Sequence, residues 1–523
     1  MRTRSVAHTQ SALSHSASTM GSRAAATWYR CLPALCSGTA LRVAPVLRPA
    51  SFASIPARRN LNVQTATEAV KLKSIDDLPG PSRSTSMYWL LVKGYAEKMH
   101  LLQVIQQEGR YPVRMEMPHW KEYRELRGQA YGLHVETGPE WYRIRSALNP
   151  KMLKLQEVSV YASTIQQVIG DLLQRIELLR TRSQDQATVL DVAAELYKFG
   201  FEGISSILFE TRLGCLQEEI PHETLRFIKA VNDMLTFADM VLLFPRWTRN
   251  ILPFWKRFVQ AWDDLYEVAQ MLIDRRMAEI EAQVSRDEPI EGMYLTNLLS
   301  SDKLTKAEVY ISVTELMLGG VDTTSNTLSW ALYHLARDSR AQDRLYSEVN
   351  SVCPDKREPT MDDLSRMPFL KAVIKETLRL YPVAPGNARL VSENEVILDN
   401  YWFPKKTQFH LCHYEACHDE SEFPNAEHFL PERWFRSDTP NSRSDRARPG
   451  FYQHNPYSFI PFGVGVRACV GKRVAEMEMH FALSRLMQHY EIQPEDGAPT
   501  VEAKTRTLLI PAKPINLRFL PRA

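Results

Sequence analysis

One cysteine near the C-terminus stands in a decapeptide that few folds accommodate: Phe462-Gly463-Val464-Gly465-Val466-Arg467-Ala468-Cys469-Val470-Gly471. An arginine sits two positions before the thiol and a glycine two after it. Glycines bring backbone close to a flat ligand with no Cβ in the way, and the guanidinium offers a rigid fork for a carboxylate. The run from Arg473 to His480 reads as helical. Cys469 therefore falls just ahead of a helix N-terminus, where free N–H groups lower a thiol's pKa. This pattern suits a thiolate that holds a large planar cofactor. An ordinary buried free cysteine, the bland alternative, leaves the surrounding glycines and the arginine unexplained.

The chain has 523 residues, 44% of them apolar, enough to bury a large core. Seven cysteines, at 31, 36, 215, 353, 412, 417 and 469, share no repeating spacing. That argues against a disulfide framework and for a reducing compartment. Cys412 and Cys417 stand among His410, His413 and His418. They alternate along an apolar, strand-like stretch rather than forming a CxxC pair, so zinc is not the expected reading.

The first 67 residues contain no Asp or Glu, eight arginines and many Ser, Ala and Thr. That is the composition of a mitochondrial presequence; a basic disordered tail is the alternative. No run of 18 or more apolar residues occurs there, so no membrane-spanning anchor is expected. Without this segment the formal charge of +3 falls to about −5, which speaks against nucleic-acid binding.

Apolar residues at three- and four-residue spacing predict helices over 152–182, 188–208, 222–238, 253–285, 305–337, 339–352 and 368–380. Strand-like alternation is concentrated in 396–412 and 504–520, a turn-rich stretch covers 77–82, and 436–450 reads as an exposed loop. The expected fold is mainly α with minor β sheets, in one domain.

Three further constellations carry chemistry. Gly319-Gly320-Val321-Asp322-Thr323-Thr324 interrupts a long helical pattern, and each mid-helix glycine costs roughly 1 kcal/mol. Small residues leave space over a flat ligand, and threonine hydroxyls open a helix by bonding backward; a helix-packing notch is the alternative. Glu376 and Arg379 share a helix face with apolar flanks, and Arg433 offers the second cation that a buried carboxylate needs. Trp141 and Arg145, four apart on a helix, both donate hydrogen bonds suited to a carboxylate, although a solvated helix face explains them equally well. Arg389, after Val383–Asn387, is a further candidate of that kind.

The decapeptide fills all six fixed positions of Phe-Gly-x-Gly-x-Arg-x-Cys-x-Gly. From about residue 74 to the end, 74–523, the chain resembles the haem-thiolate monooxygenases, the cytochrome P-450 superfamily. The resemblance implies that fold and haem b, with Cys469 as the axial thiolate whose electron density favours O–O cleavage. It implies cofactor contacts from Phe462 and Arg467, and propionate contacts from Trp141, Arg145 and Arg389. Thr323 would hydrogen-bond dioxygen, with Asp322 and water relaying protons. Glu376, Arg379 and Arg433 would form a structural lock.

Within the superfamily, Leu380–Val383, Gln107–Arg114, Gly320–Leu328 and Ile251–Arg257 are similar to the mitochondrial family 27. They are most similar to its branch that hydroxylates a sterol side chain, cholesterol or a bile-acid intermediate, at carbon 26/27. Gly386–Arg389 and Lys504–Leu509 also resemble sister branches acting on vitamin D or retinoids. Family 27 membership implies dioxygen, electrons from an adrenodoxin-like 2Fe-2S ferredoxin, and a peripheral seat on the matrix side of the inner mitochondrial membrane. Lys371 and Lys375 match the family's ferredoxin-docking lysines, and Lys472 and Arg473 would extend that face; a solvated helix face is the alternative. Phe237–Phe258 mixes aromatic residues with cations, which suits a membrane surface almost as well as a core helix pair. One departure is large. From Pro81 to Gln107 the chain runs 27 residues, where the family pattern fits a helix, two strands and a second helix, needing roughly 50. The join falls near residue 103, so the family's first-sheet segment is missing there, and an inactive shortened isoform is the rival reading.

Overall fold

The computed structural model describes residues 112–287, 294–391, 394–398, 401–435 and 455–522. The expected presequence, the turn at 77–82, the join near residue 103 and the 436–450 loop lie outside the described residues.

The longer helices are α1 (Pro118–Arg127), α2 (Gly138–Leu153), α3 (Ala162–Arg182), α4 (Val192–Phe209), α5 (His222–Leu243), α6 (Pro253–Ser285), α7 (Lys306–Arg337), α8 (Ser339–Val352), α9 (Pro368–Leu380) and α10 (Lys472–His489). Their starts follow local chemistry. Proline opens α1, α6 and α9, where its missing N–H costs nothing. Thr305 and Glu308 close a reciprocal capping box on α7. The expected helix over 152–182 is divided instead. Pro150 removes a donor from the last turn of α2, and Lys154 turns extended with φ −76° and ψ 125° before α3 begins. The expected helix from 188 opens as a strand.

β1 (Val113–Arg114), β3 (Gly386–Leu390) and β6 (Gln408–Cys412) form one antiparallel sheet in the order β1-β3-β6. Its register sets Arg114 opposite Arg389. A second sheet runs β2 (Thr188–Val189), β10 (Leu517–Pro521), β7 (Tyr490–Pro494). Two hairpins, β4 (Val396–Leu398) with β5 (Tyr401–Phe403) and β8 (Ala503–Arg506) with β9 (Leu508–Pro511), complete the strands among the described residues. β4, β5 and β6 fall within the expected 396–412 stretch and β8, β9 and β10 coincide with 504–520 to within a residue, whereas β1, β2, β3 and β7 lie outside both stretches of strand-like alternation.

The core is helical. α7 is buried along most of its length and packs on α4, while α5 and α6 lie side by side. The two mid-helix glycines of α7 divide their work. A Cβ on Gly319 would meet nothing within 4 Å, whereas one on Gly320 would stand 2.8 Å from Ile204 of α4. The expected open space over a ligand is therefore at Gly319, and Gly320 is where two helices come close.

Candidate active site

The cysteine loop is built by its own backbone. Cys469 N–H donates to Phe462 O at 2.8 Å, and Ala468 N–H to Gly465 O at 3.0 Å. Gly463 and Gly465 both sit at φ +69°, a conformation that costs other residues a Cβ clash. Gly471 then caps α10. Cys469 is exposed, but toward an internal cavity of about 450 Å³ that it lines with Phe462, Arg467, Trp141, Arg145 and Arg389. The opposite wall is α7, through Gly319, Thr323, Thr324 and Thr327. Thr323 Oγ1 donates back to Gly319 O at 2.7 Å, the local opening expected of a threonine there.

The thiol's protonation differs from expectation. Burial pushes Cys469 up, and the Gly471 amide and the Arg145, Arg114 and Lys472 charges only oppose that push. The helix terminus and nearby cations do not hold it ionised unaided. A bound metal ion would do so.

Four guanidiniums, from Arg114, Arg145, Arg389 and Arg467, converge on the cavity. Burial first, then repulsion from Arg114, Arg389 and Arg145, pushes Arg467 down to about 8; burial and Arg114 bring Arg145 and Arg389 to about 10. Arg467 stacks on Trp141 at 3.4 Å and donates through Nε to Pro112 O at 2.8 Å. Its Nη1 and Nη2, and Arg389 Nε, are buried with no hydrogen-bond partner. Arg145 spans from Asn149 to Ala468 O. Unpaired buried donors on mutually repelling cations call for anions. A flat group bearing two carboxylates, held over a cysteine, fits this cavity.

Beneath it, Glu376 and Arg379 are fully buried. Glu376 Oε1 accepts from Arg379 Nη2 (2.8 Å), Arg433 Nε (2.9 Å) and Leu430 N–H (3.0 Å), while Oε2 accepts from Trp434 Nε1 (2.9 Å) and Arg379 Nε (3.1 Å). Arg379 also donates to Cys417 O and His428 O, and Arg433 to Pro424 O and Asn425 O. The carboxylate thus ties α9 to the segment that leads toward the cysteine loop.

Asp322 is not part of the cavity lining. It is 1% exposed, accepts from the Tyr197 hydroxyl at 2.5 Å, and is ion-paired to Arg506 at the end of β8. One residue along a helix turns the side chain by about 100°, so Asp322 faces α4 and β8 while Thr323 faces the cavity. Of the two residues expected to handle dioxygen and protons, Thr323 lines the cavity and Asp322 stands one flank away, paired to Arg506 and Tyr197.

Four cations share the outer face behind the cysteine. Lys375 is lowered by burial and then by Lys371 and Lys472, and it lies 5.5 Å from the Trp434 ring centroid. Lys472 and Arg473 reach Glu476 at 3.9 and 3.2 Å. Of Phe237–Phe258, Leu242, Leu243, Trp247 and Ile251 are exposed, the last two by 72% and 70%. Phe244 stacks on Phe254, and Arg249 covers Trp255. Among the described residues, no helix is long and apolar enough to cross a membrane.

Sequence reasoning assigned no role to Arg114, Glu478, His134 or Glu315, all of which line the cavity. Arg114 ends the Gln107–Arg114 stretch that is similar to family 27, and only strand register brings it to Arg389. Burial pushes the Glu478 carboxyl up to about 8, against a weaker pull from Thr324. A carboxyl whose folded pKa is raised costs stability as pH climbs from its unfolded value through the folded one. Glu478→Gln is therefore expected to match the parent near pH 4 and to be the more stable protein by a few kcal/mol at most above about pH 8. Thermal midpoints of the two holoproteins across that range, differing by a constant amount, would contradict a neutral Glu478.

Residues 83–519 match the family described as Cytochrome P450. A Rattus norvegicus protein named sterol 26-hydroxylase, mitochondrial, is 40% identical over 493 residues, covering 88% of this chain and 91% of its own. Cytochrome P450 27C1 of Danio rerio is 37% identical over 490 residues, covering 87% and 88%. The 25-hydroxyvitamin D-1 alpha hydroxylase, mitochondrial, of Homo sapiens is 38% identical over 490 residues, covering 86% and 93%. A cysteine that lines one cavity together with four arginines and a match over most of the chain agree: this chain belongs to the cytochrome P450 family, the haem-thiolate monooxygenases.

Proposed function

We propose that this protein hydroxylates the side chain of a sterol, cholesterol or a bile-acid intermediate. It would take electrons from an adrenodoxin-like 2Fe-2S ferredoxin at the matrix face of the inner mitochondrial membrane. The observation that carries this is a cavity over Cys469 walled by Met115, Met117, Leu133, Leu316, Val383 and Met479, a surface for a large apolar skeleton, in a chain 40% identical to a sterol 26-hydroxylase. Haem, when bound, supplies the activation of dioxygen and the insertion of one oxygen atom into a C–H bond. The protein's residues do the rest. Cys469 would hold the iron. Arg467, Arg389, Arg145, Arg114 and Trp141 would hold the propionates, and Phe462 would pack against the ring. Thr323 presents a hydroxyl to the cavity, and the apolar walls choose which carbon faces the metal. Substrate-induced shifts in the haem absorbance test the reading: cholesterol is expected to bind more tightly than cholecalciferol or retinol. Tighter binding of cholecalciferol would favour the second reading, a vitamin D hydroxylase, which the 38% identity to the human 1-alpha hydroxylase supports.

Lys371, Lys375, Lys472 and Arg473 would receive the acidic ferredoxin, because opposite charge steers and orients such encounters. Lys371→Glu with Lys375→Glu is expected to weaken ferredoxin binding at least about tenfold, most at low salt, while haem content stays unchanged. Unaltered reduction kinetics would remove these residues from the docking face. Leu242, Leu243, Trp247 and Ile251, beside Arg246, Lys256 and Arg257, suit shallow burial in a lipid surface.

A further inference from the structure

A polar seat interrupts the apolar wall of the cavity. Glu315, on α7 and only 2% exposed, lines it together with His134. Glu315 Oε2 accepts from the His134 backbone N–H at 3.1 Å and stands 3.0 Å from its Nδ1, and Arg124 Nη2 lies 3.5 Å from Oε1. The seat is closely fitted. A Cβ on Gly132 would stand 2.4 Å from Glu315 Oε2, so only glycine lets the loop before α2 close over the carboxylate. Trp120 lies against the imidazole, with ring centroids 5.3 Å apart.

The consequence is directional. With Nδ1 turned to the carboxylate, the imidazole's remaining polar atom is Nε2, and about a third of this side chain is exposed. In the neutral ring Nδ1 donates to Glu315 and Nε2 accepts; in the charged ring both donate. Either form pairs with an alcohol, which donates and accepts. An oriented hydrogen-bonding group on a side chain that lines a binding cavity discriminates strongly between a ligand that satisfies it and one that does not.

We infer that His134, oriented by Glu315, is a specificity-determining residue that anchors a substrate alcohol remote from the carbon attacked. The inference rests on the sterol reading for the identity of the skeleton, not for the anchor. Glu315 and Thr323 are eight residues apart on α7, about 12 Å along its axis, so the seat addresses a distant part of the ligand rather than the reacting carbon. Arg124 and Glu315 are positioning residues: they act through the ring that they set.

The test uses holoenzyme and spectral titration with cholesterol and with its 3-deoxy analogue, which lacks the ring alcohol. In the parent protein cholesterol is expected to bind at least about tenfold more tightly than the analogue. His134→Phe is expected to bring that ratio near one with haem content intact, and His134→Gln, which still offers polar atoms, to retain most of it. A purely structural ion pair would weaken both ligands together and leave the ratio unchanged, and that result overturns the inference. If neither sterol perturbs the spectrum, the sterol reading fails, and the same comparison is made with cholecalciferol and its 3-deoxy analogue. Discrimination there that His134→Phe abolishes retains the anchor; equal binding by the parent rejects it.

Discussion

Glu376→Gln is expected to cost about 3–5 kcal/mol of stability and most of the bound haem. The amide is nearly the same size, so packing is preserved and the loss isolates the charge. In the parent, one carboxylate answers Arg379, Arg433, the Trp434 indole and the Leu430 N–H. Arg379 is fully buried and Arg433 nearly so. An uncompensated buried charge is what makes breaking such a pair expensive, and here two cations lose their counter-charge together. The amide nitrogen would also face donors that it cannot accept. Surface pairs set the contrast. Arg182 and Glu218 are ion-paired with most of both side chains exposed, and Arg182→Ala is expected to cost under about 1 kcal/mol. Chemical denaturation of both variants, with haem absorbance followed alongside, makes the comparison. Similar midpoints for the two would show that the lock is not structural.

What was legible in the sequence was what adjacent residues decide. The cysteine loop, the helical spacing of 253–285, 305–337 and 368–380, and the Glu376–Arg379 spacing are local, and their roles follow from turn chemistry and helix period. Contacts that depend on how distant segments meet were not legible. Arg114 reaches the cavity because β1 pairs with β3 at a register fixed some 275 residues away. Asp322 and Thr323 are adjacent in sequence, but only the contact with Arg506, 184 residues on, shows that Asp322 lies on another flank of α7. Gly319 and Gly320 read identically until Ile204 distinguishes them. His134 and Glu315, 181 residues apart, carry no mark that either needs the other. The helix break at Lys154 shows the same limit from the other side: apolar spacing persisted across it, and a proline in the preceding turn was the only warning.

Cys469→Ser should remove the defining pigment: the purified protein is expected to lack the red-shifted band of its reduced carbon monoxide complex and to show no turnover. The reason lies in the loop's design. Its hydrogen bonds run through backbone atoms, Cys469 N–H to Phe462 O and Ala468 N–H to Gly465 O, and Gly463 and Gly465 set its path. Serine fits that backbone without strain, so the variant changes the donor atom and little else. The surroundings do not favour an anion there, since burial pushes even the thiol up. A thiol is nonetheless acidic enough that bound iron would ionise it, and Cys469 would then supply the thiolate donor that suits haem to activating dioxygen. A serine hydroxyl is far less acidic and a poorer donor. The arginine cluster survives the substitution, so haem can still be drawn in by its carboxylates and sit over an unsuitable ligand. Pigment without the red-shifted band is therefore as informative as no pigment. A Cys469→Ser protein with the parent's spectrum and activity would mean that another residue holds the metal, and the assignment of this cavity would fall with it.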